Sequence, residues 1–231
     1  ALAADALANG RFPQADQLVV DPGDPDHLVV RTTYGLVQSV DGGETWRWIC
    51  ESAVGFGDFQ DPPTAISERG HVIVATFTGA SVSADRGCTW EKAAEPLSTT
   101  TNVVDVTVDA ATPARALVVT GEIDGSGSFV VAESADDGST WSVLAERPAD
   151  LAPQTIEVAR SSADVLYVSG LTGGLQTGGT IERSDDGGMT WTRIPMQIDD
   201  PRRPFVSGVD PFDPHTLYVR VDGNPSDRLF V

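Results

Sequence analysis

The sequence predicts an all-β fold of repeated four-stranded antiparallel units, a β-propeller, and three observations carry that prediction. An octapeptide occurs four times: Ser39-Val-Asp-Gly-Gly-Glu-Thr-Trp46, Ser83-Ala-Asp-Arg-Gly-Cys-Thr-Trp90, Ser134-Ala-Asp-Asp-Gly-Ser-Thr-Trp141 and Ser184-Asp-Asp-Gly-Gly-Met-Thr-Trp191. A second motif, Val20-Asp-Pro-Gly-Asp-Pro-Asp-His-Leu-Val-Val30, returns as Val209-Asp-Pro-Phe-Asp-Pro-His-Thr-Leu-Tyr-Val219, each followed by an arginine, Arg31 and Arg220. Between these landmarks lie short β-branched runs bounded by turn residues, with no sustained helical periodicity.

All four octapeptides fit Ser-x-Asp-x-Gly-x-Thr-Trp, and their serines at 39, 83, 134 and 184 are 44, 51 and 50 residues apart. The copies of the second motif are 189 residues apart, which over four periods is a mean of about 47. Periods of about 40 to 50 residues with β-type units indicate propeller blades.

The first repeat reads as strands at Leu18–Val20, Leu28–Thr32, Leu36–Gln38 and Trp46–Ile49. The second has Thr64–Ile66, His71–Thr76, Ala80–Val82 and Thr89–Lys92, and the third Val103–Val108, Ala116–Thr120, Ser128–Ala132 and Thr140–Leu144. In the fourth, Thr155–Ala159, Val165–Ser169, Thr180–Arg183 and Trp191–Ile194 follow the same order. A fifth repeat begins at Phe205, and its third strand is still running at Val231. The expected organisation is an N-terminal segment, 1–15, and a propeller, 16–231. Its blades fall near 16–51, 60–95, 101–146, 153–197 and, in part, 205–231. Four complete blades and part of a fifth are the content expected of a fragment of a larger propeller.

Each octapeptide is read as the hairpin that turns a blade's third strand back into its fourth. The aspartates Asp41, Asp85, Asp136 and Asp186 accept hydrogen bonds from the N–H groups of their own turn. Gly43, Gly87, Gly138 and Gly188 supply positive φ. Ser39, Ser83, Ser134 and Ser184 close the hairpin from one side and a threonine closes it from the other. Trp46, Trp90, Trp141 and Trp191 offer apolar faces to pack between neighbouring blades.

Composition sets bounds on function. The 231 residues accommodate one large all-β domain or two small ones, and a 40% hydrophobic fraction supplies a core. With 34 acidic against 15 basic residues the formal charge is -19, which argues against nucleic acid and anionic membranes as partners. No run of about 18 apolar residues is present, so no membrane insertion is expected. Lys92 is the only lysine. Cys50 and Cys88 lie 38 residues apart, close to one repeat; they are read as a disulfide joining neighbouring repeats, against two buried free thiols. A disulfide would imply export, and the small-residue opening Ala-Leu-Ala-Ala-Asp-Ala-Leu-Ala resembles the end of an export signal.

Ser-x-Asp-x-Gly-x-Thr-Trp resembles the Asp-box, or bacterial neuraminidase repeat, and the likeness runs from about residue 16 to the end. That superfamily includes sialidases, xyloglucan-type glucanases, sortilin-type receptors, photosystem assembly factors and secreted bacterial repeat proteins. The resemblance implies a β-propeller whose box residues form the fold at the blade edge, away from any catalytic centre. The motif is specific for fold and says little about activity. The even spacing favours the regular-repeat, secreted bacterial branches over sialidases.

A sialidase-like site needs three arginines around a carboxylate, a Tyr–Glu pair and an Asp acid. Thr192-Arg-Ile-Pro195 resembles that family's first arginine motif, but it follows the fourth box and lacks the aromatic residue. Tyr167 and Tyr218 occupy equivalent strand positions and read as core, Tyr34 as loop. A glucanase-like site needs two carboxylates across a cleft. Asp58 and Asp61, mixed with Phe56 and Phe59 in a loop expected to pass over the central channel, are the candidates. Asp124-Gly-Ser-Gly-Ser128 has a calcium loop's alternating oxygens without its bidentate Glu and reads as a hairpin turn. Asp21, Asp24, Asp26, Asp210 and Asp213 recur with the blade period, and His27, His71 and His215 are scattered. No metal or cofactor is expected. The functional expectation is a non-catalytic extracellular, cell-surface or periplasmic binding or scaffold propeller that recognises protein or carbohydrate through its blade loops. A glycoside hydrolase of xyloglucanase or sialidase type is the alternative.

Overall fold

A computed structural model of the protein describes residues 12–57, 59–97, 102–112, 114–122, 128–148, 150–172, 177–196, 202–223 and 226–231. Within them the chain is all-β apart from one helical turn. The first sheet holds β1 (Ala15–Val20), β2 (Leu28–Thr32), β3 (Gly35–Ser39) and β4 (Arg47–Ile49), followed by α1 (Glu51–Val54). The second holds β5 (Thr64–Ile66), β6 (Val72–Thr76), β7 (Gly79–Ser83) and β8 (Glu91–Lys92). The third holds β9 (Val103–Val108), β10 (Ala116–Thr120), β11 (Phe129–Ser134) and β12 (Ser142–Arg147). The fourth holds β13 (Leu151–Ala159), β14 (Ser162–Thr172), β15 (Thr177–Ser184) and β16 (Thr192–Pro195). The fifth holds β17 (Pro204–Val209), β18 (Leu217–Val221) and β19 (Arg228–Phe230). Every sheet is an antiparallel meander in chain order, and the first strands β1, β5, β9, β13 and β17 neighbour one another in sequence. This is a propeller arrangement of four four-stranded blades and one three-stranded blade.

Each sheet has two faces to bury, and neighbouring sheets bury the faces they turn toward each other. Four apolar cores result, one at each junction. Val29, Leu36 and Ile49 of blade one meet Ile66 and Val74 of blade two. Ile73 and Val82 of blade two meet Val106 and Val118 of blade three. Leu117 and Val131 of blade three meet Ile156 and Val168 of blade four, and Tyr167 and Ile181 of blade four meet Val206 and Val219 of blade five.

The box tryptophans follow this scheme one step behind. Trp141 lies inside the core shared with blade two. Trp90 packs against the core shared with blade one, and Trp191 against the core shared with blade three. Trp46 belongs to blade one, the first sheet among the described residues, and is 45% exposed. Tyr167 is core, as expected, but Tyr218 is 37% exposed, with no sheet among the described residues against that face.

The four boxes share one Ser–Asp–Thr hydrogen-bond network, and in the first, third and fourth the tryptophan indole joins it. In the first, the Ser39 hydroxyl donates to Asp41 Oδ1 (2.7 Å) and accepts the Gly43 N–H (2.8 Å). Asp41 Oδ1 accepts the Thr45 N–H (2.8 Å) and Oδ2 the Thr45 hydroxyl (2.5 Å). The indole N–H of Trp46 donates to the Gly43 carbonyl at 3.0 Å. The Asp–Thr pair of contacts recurs at Asp85–Thr89, Asp136–Thr140 and Asp186–Thr190. Two successive residues sit in the left-handed region. The first is Gly42, Arg86, Asp137 or Gly187, at φ 56 to 71, and the second is always glycine, at φ 76 to 97. The wider angle excludes a Cβ more strongly, so only the second position is fixed.

The expected Cys50–Cys88 disulfide is absent, and both residues are free thiols, Cys88 exposed rather than buried. Arg47, at the box end of β4, donates to Cys88 Sγ at 3.5 Å, whereas Cys50 lies just beyond the other end of that strand. Three residues of strand separate the ends by about 10 Å, more than the roughly 4.4–6.8 Å between Cα atoms that a disulfide spans. Spacing of one repeat placed the two residues in neighbouring blades but at opposite ends of them.

Truncating Trp141 to Ala removes a buried aromatic and should cost about 3–5 kcal/mol, whereas Trp46→Ala should cost under about 1 kcal/mol. Denaturant unfolding of both variants checks this; equal losses would contradict the packing described.

The threonine hydrogen bonds hold the Asp41 and Asp85 carboxyls down at about 2. Their contribution is complete above the ordinary value near 4 and is lost as pH falls toward 2. Stability measured from pH 5 to 2 should fall across that window, and less steeply in Asp85→Asn.

Candidate functional site

The boxes and the cavity occupy opposite ends of the blades. Each box follows a third strand, and three of them bond the turn before the second strand or that strand's start: Gly42 N–H to Asp26 O (3.0 Å), Asp137 N–H to Ala114 O (2.9 Å) and Gly187 N–H to Asp164 O (2.9 Å). At the other end, the beginnings of β1, β9, β13 and β17 converge on a cavity of about 840 Å³, with Gln60–Pro63 and Phe77 on its rim. All five blades contribute to it.

The first strands are held together around this cavity by side chains that bond the next blade's backbone. Gln17 both donates to the Thr64 carbonyl (2.9 Å) and accepts the Thr64 N–H (3.0 Å). Asp105 Oδ2 accepts the Ile156 N–H at 2.9 Å, and Thr155 Oγ1 accepts the Val206 N–H at 3.1 Å. These three residues share one register position. They face Arg31, Val119 and Ser169, each three residues beyond the residue paired with its blade's box serine.

Asp105 and Glu157 are the charged chemistry of the channel. Glu157 Oε2 accepts the Thr107 hydroxyl (3.1 Å) on the strand that carries Asp105. Burial pushes Asp105 up to about 7, with the Ile156 and Val106 N–H groups and the Arg31 charge opposing it. Burial and then the Asp105 charge push Glu157 up to about 8. Two carboxyls on adjacent strands, short of compensating donors, resist both being ionised. Neither was singled out by sequence reasoning, although each is a lone acid within an apolar first strand: Val103-Val-Asp-Val-Thr-Val108 and Thr155-Ile-Glu-Val-Ala159.

Of the sequence candidates, Asp61 is half-buried on the cavity wall, and Asp58 lies outside the described residues. Most of Asp124–Ser128 lies outside them too. Thr192–Pro195 is the outer strand β16, far from the channel in its blade's order, and Arg193 is spent on Glu182 (2.8 Å) and Asp150 (2.9 Å). Arg31, Arg203 and Arg220 do line the cavity, but they do not form an open clamp. Arg31 donates to the Asp61 carbonyl. Arg220 stacks 4.2 Å from the Phe205 ring centroid and pairs with Asp222 (2.8 Å) and Asp227 (2.6 Å). His27 is fully buried between Asp21 (2.8 Å) and Gln38 (2.6 Å), a fold contact at the box end. Among the described residues no group of three His, Cys, Asp or Glu is placed to hold a metal.

Residues 182–193 match the family model described as the BNR/Asp-box repeat, and the same hairpin is built four times in a ring of meander sheets. The fold is a β-propeller, with an Asp-box repeat matched in its fourth blade. Among solved structures it is similar to the GH74 xyloglucanase from Xanthomonas campestris, at 20% identity and a TM-score of 0.67, covering 93% of this chain and 36% of that one. A GH74 enzyme from Niastella koreensis matches at 19% identity and a TM-score of 0.66, over 90% and 33%. A Hadza microbial sialidase matches at 18% and 0.56, over 88% and 48%. The propeller therefore spans about a third of the length of the GH74 enzymes and about half that of the sialidase. No curated protein shows significant similarity to the chain as a sequence. No helix among the described residues is long and apolar enough to cross a membrane.

The raised pair sets a pH dependence of opposite sign to that of the boxes. A carboxyl whose folded value is raised leaves stability complete below its ordinary value near 4, and stability is lost as pH rises through about 7 to 8. Melting temperatures between pH 5 and 9 should fall for the natural protein and fall less for Glu157→Gln. An identical slope in the two would contradict the assignment.

Proposed function

We propose that this chain is a non-catalytic carbohydrate-binding propeller that takes an oligosaccharide at the channel mouth. The observation that carries the reading is the open cavity of about 840 Å³, where carboxyls and the amides of Gln60, Asn102 and Gln154 stand beside the 45% exposed ring of Phe77. A sugar presents hydroxyls around its edge and apolar C–H groups on its faces. Convergent polar groups with a neighbouring aromatic face meet both requirements. The engagement of Arg31 and Arg220 and the acids Asp16, Asp61, Asp105 and Glu157 on the wall favour a neutral sugar over an anionic one. Such a ligand, and the relatives' carbohydrate chemistry, fit a protein working outside the cytoplasm, at the cell surface or in the periplasm.

The alternative is a glycoside hydrolase, and one observation favours it. A carboxyl kept protonated near neutrality beside a second carboxyl is the equipment of a general acid. Against it, Asp105 and Glu157 lie on adjacent strands of one wall, and Asp105 holds the Ile156 backbone. The non-catalytic reading fits that placement better.

Glycan-array screening followed by calorimetry tests the reading: neutral oligosaccharides should bind. Phe77→Ala should weaken them roughly 3- to 10-fold, the loss of about 0.5–1.5 kcal/mol of aromatic contact. Turnover of fluorogenic glycosides that disappears in Asp105→Asn would establish the hydrolase instead.

A further inference from the structure

Glu157 stands between two cavities. It lines the mouth cavity, and it also lines a smaller one of about 310 Å³ further along the channel, walled by Val20, Pro22 and Val108. Its carboxyl is tied to β9 through the Thr107 hydroxyl, and Asp105 on that strand is tied back to the residue next to Glu157. A ligand that fills the mouth cavity therefore covers both carboxyls.

We infer that the Asp105–Glu157 pair makes binding in this channel pH-responsive, a neutral saccharide binding with uptake of protons and leaving as the pair ionises. The inference rests on the saccharide reading above. Covering the pair removes water that solvates its charged form, and a neutral sugar brings no cation to replace that water. The surroundings do not cancel the effect. The charged groups facing the cavity from the packed elements are Asp16 on β1, Asp61 in the loop before β5, Arg31 on β2, Arg203 before β17 and Arg220 on β18. Arg31 acts on Asp105 but leaves it raised, and Arg220 is balanced by Asp222 and Asp227. By linkage, any further rise of the pair's proton affinity on binding weakens the ligand as pH increases, tenfold for each unit of that rise.

Calorimetric titration with a neutral cello- or xylogluco-oligosaccharide at pH 6 and pH 9 tests this. The natural protein should bind about tenfold or more weakly at pH 9, and at pH 7.5 buffers of different ionisation enthalpy should reveal proton uptake. Glu157→Gln, which keeps the shape and cannot ionise, should lose the Glu157 share of the pH dependence and keep only what Asp105 contributes. An affinity that is flat or rises with pH, a variant with the natural protein's pH dependence, or binding without proton uptake each overturns the inference while leaving saccharide binding intact. Failure of every neutral oligosaccharide to bind at either pH overturns the saccharide reading itself, and this inference with it.

Discussion

Everything in this molecule depends on a carboxylate that folds its own turn. In each box an aspartate takes the N–H and hydroxyl of the threonine four residues on, while the serine two residues before it donates to the carboxylate and holds the glycine N–H. These short-range bonds need nothing from the rest of the chain, so each hairpin is specified locally. The tryptophan that ends the box then carries the local structure outward, since its ring reaches the core shared with the preceding blade. A local hydrogen-bond network thus sets the position of a long-range apolar contact. The propeller is that step repeated.

The division of labour between the blade ends follows. The box end spends its aspartates on backbone groups, as the low Asp41 and Asp85 values reflect. The channel end holds acids with the opposite problem, half-buried with too few donors. Both sets are carboxyls in one acidic chain, and their surroundings alone make the first ionise more readily than usual and the second reluctant to ionise. Function is sought at the second end for that reason.

The fold class was legible because its signal is local and repeated: four boxes state both the hairpin and the period. Tyr218 and the cysteines were misjudged because equivalence between repeats assigns a register position and not an environment. Tyr218 matches Tyr167 in its strand, yet among the described residues only Tyr167 has a later blade against it. Cys50 and Cys88 are one period apart, yet they stand at opposite blade ends. The channel pair escaped notice because loop acids such as Asp58 and Asp61 look more like site residues than single acids within apolar strands. In a propeller the first strand lines the channel, so the polar residue that breaks its apolar run is the one that faces the cavity.

The channel seam carries one further consequence. Gln17, Asp105 and Thr155 fill the same register position with an amide, an acid and an alcohol, and share only an oxygen that accepts the next blade's N–H. The scaffold constrains one atom there and leaves the rest of the side chain free. Symmetry of the repeats and asymmetry of the interior are therefore separable, and the blades can diverge around the channel without loosening the ring they form.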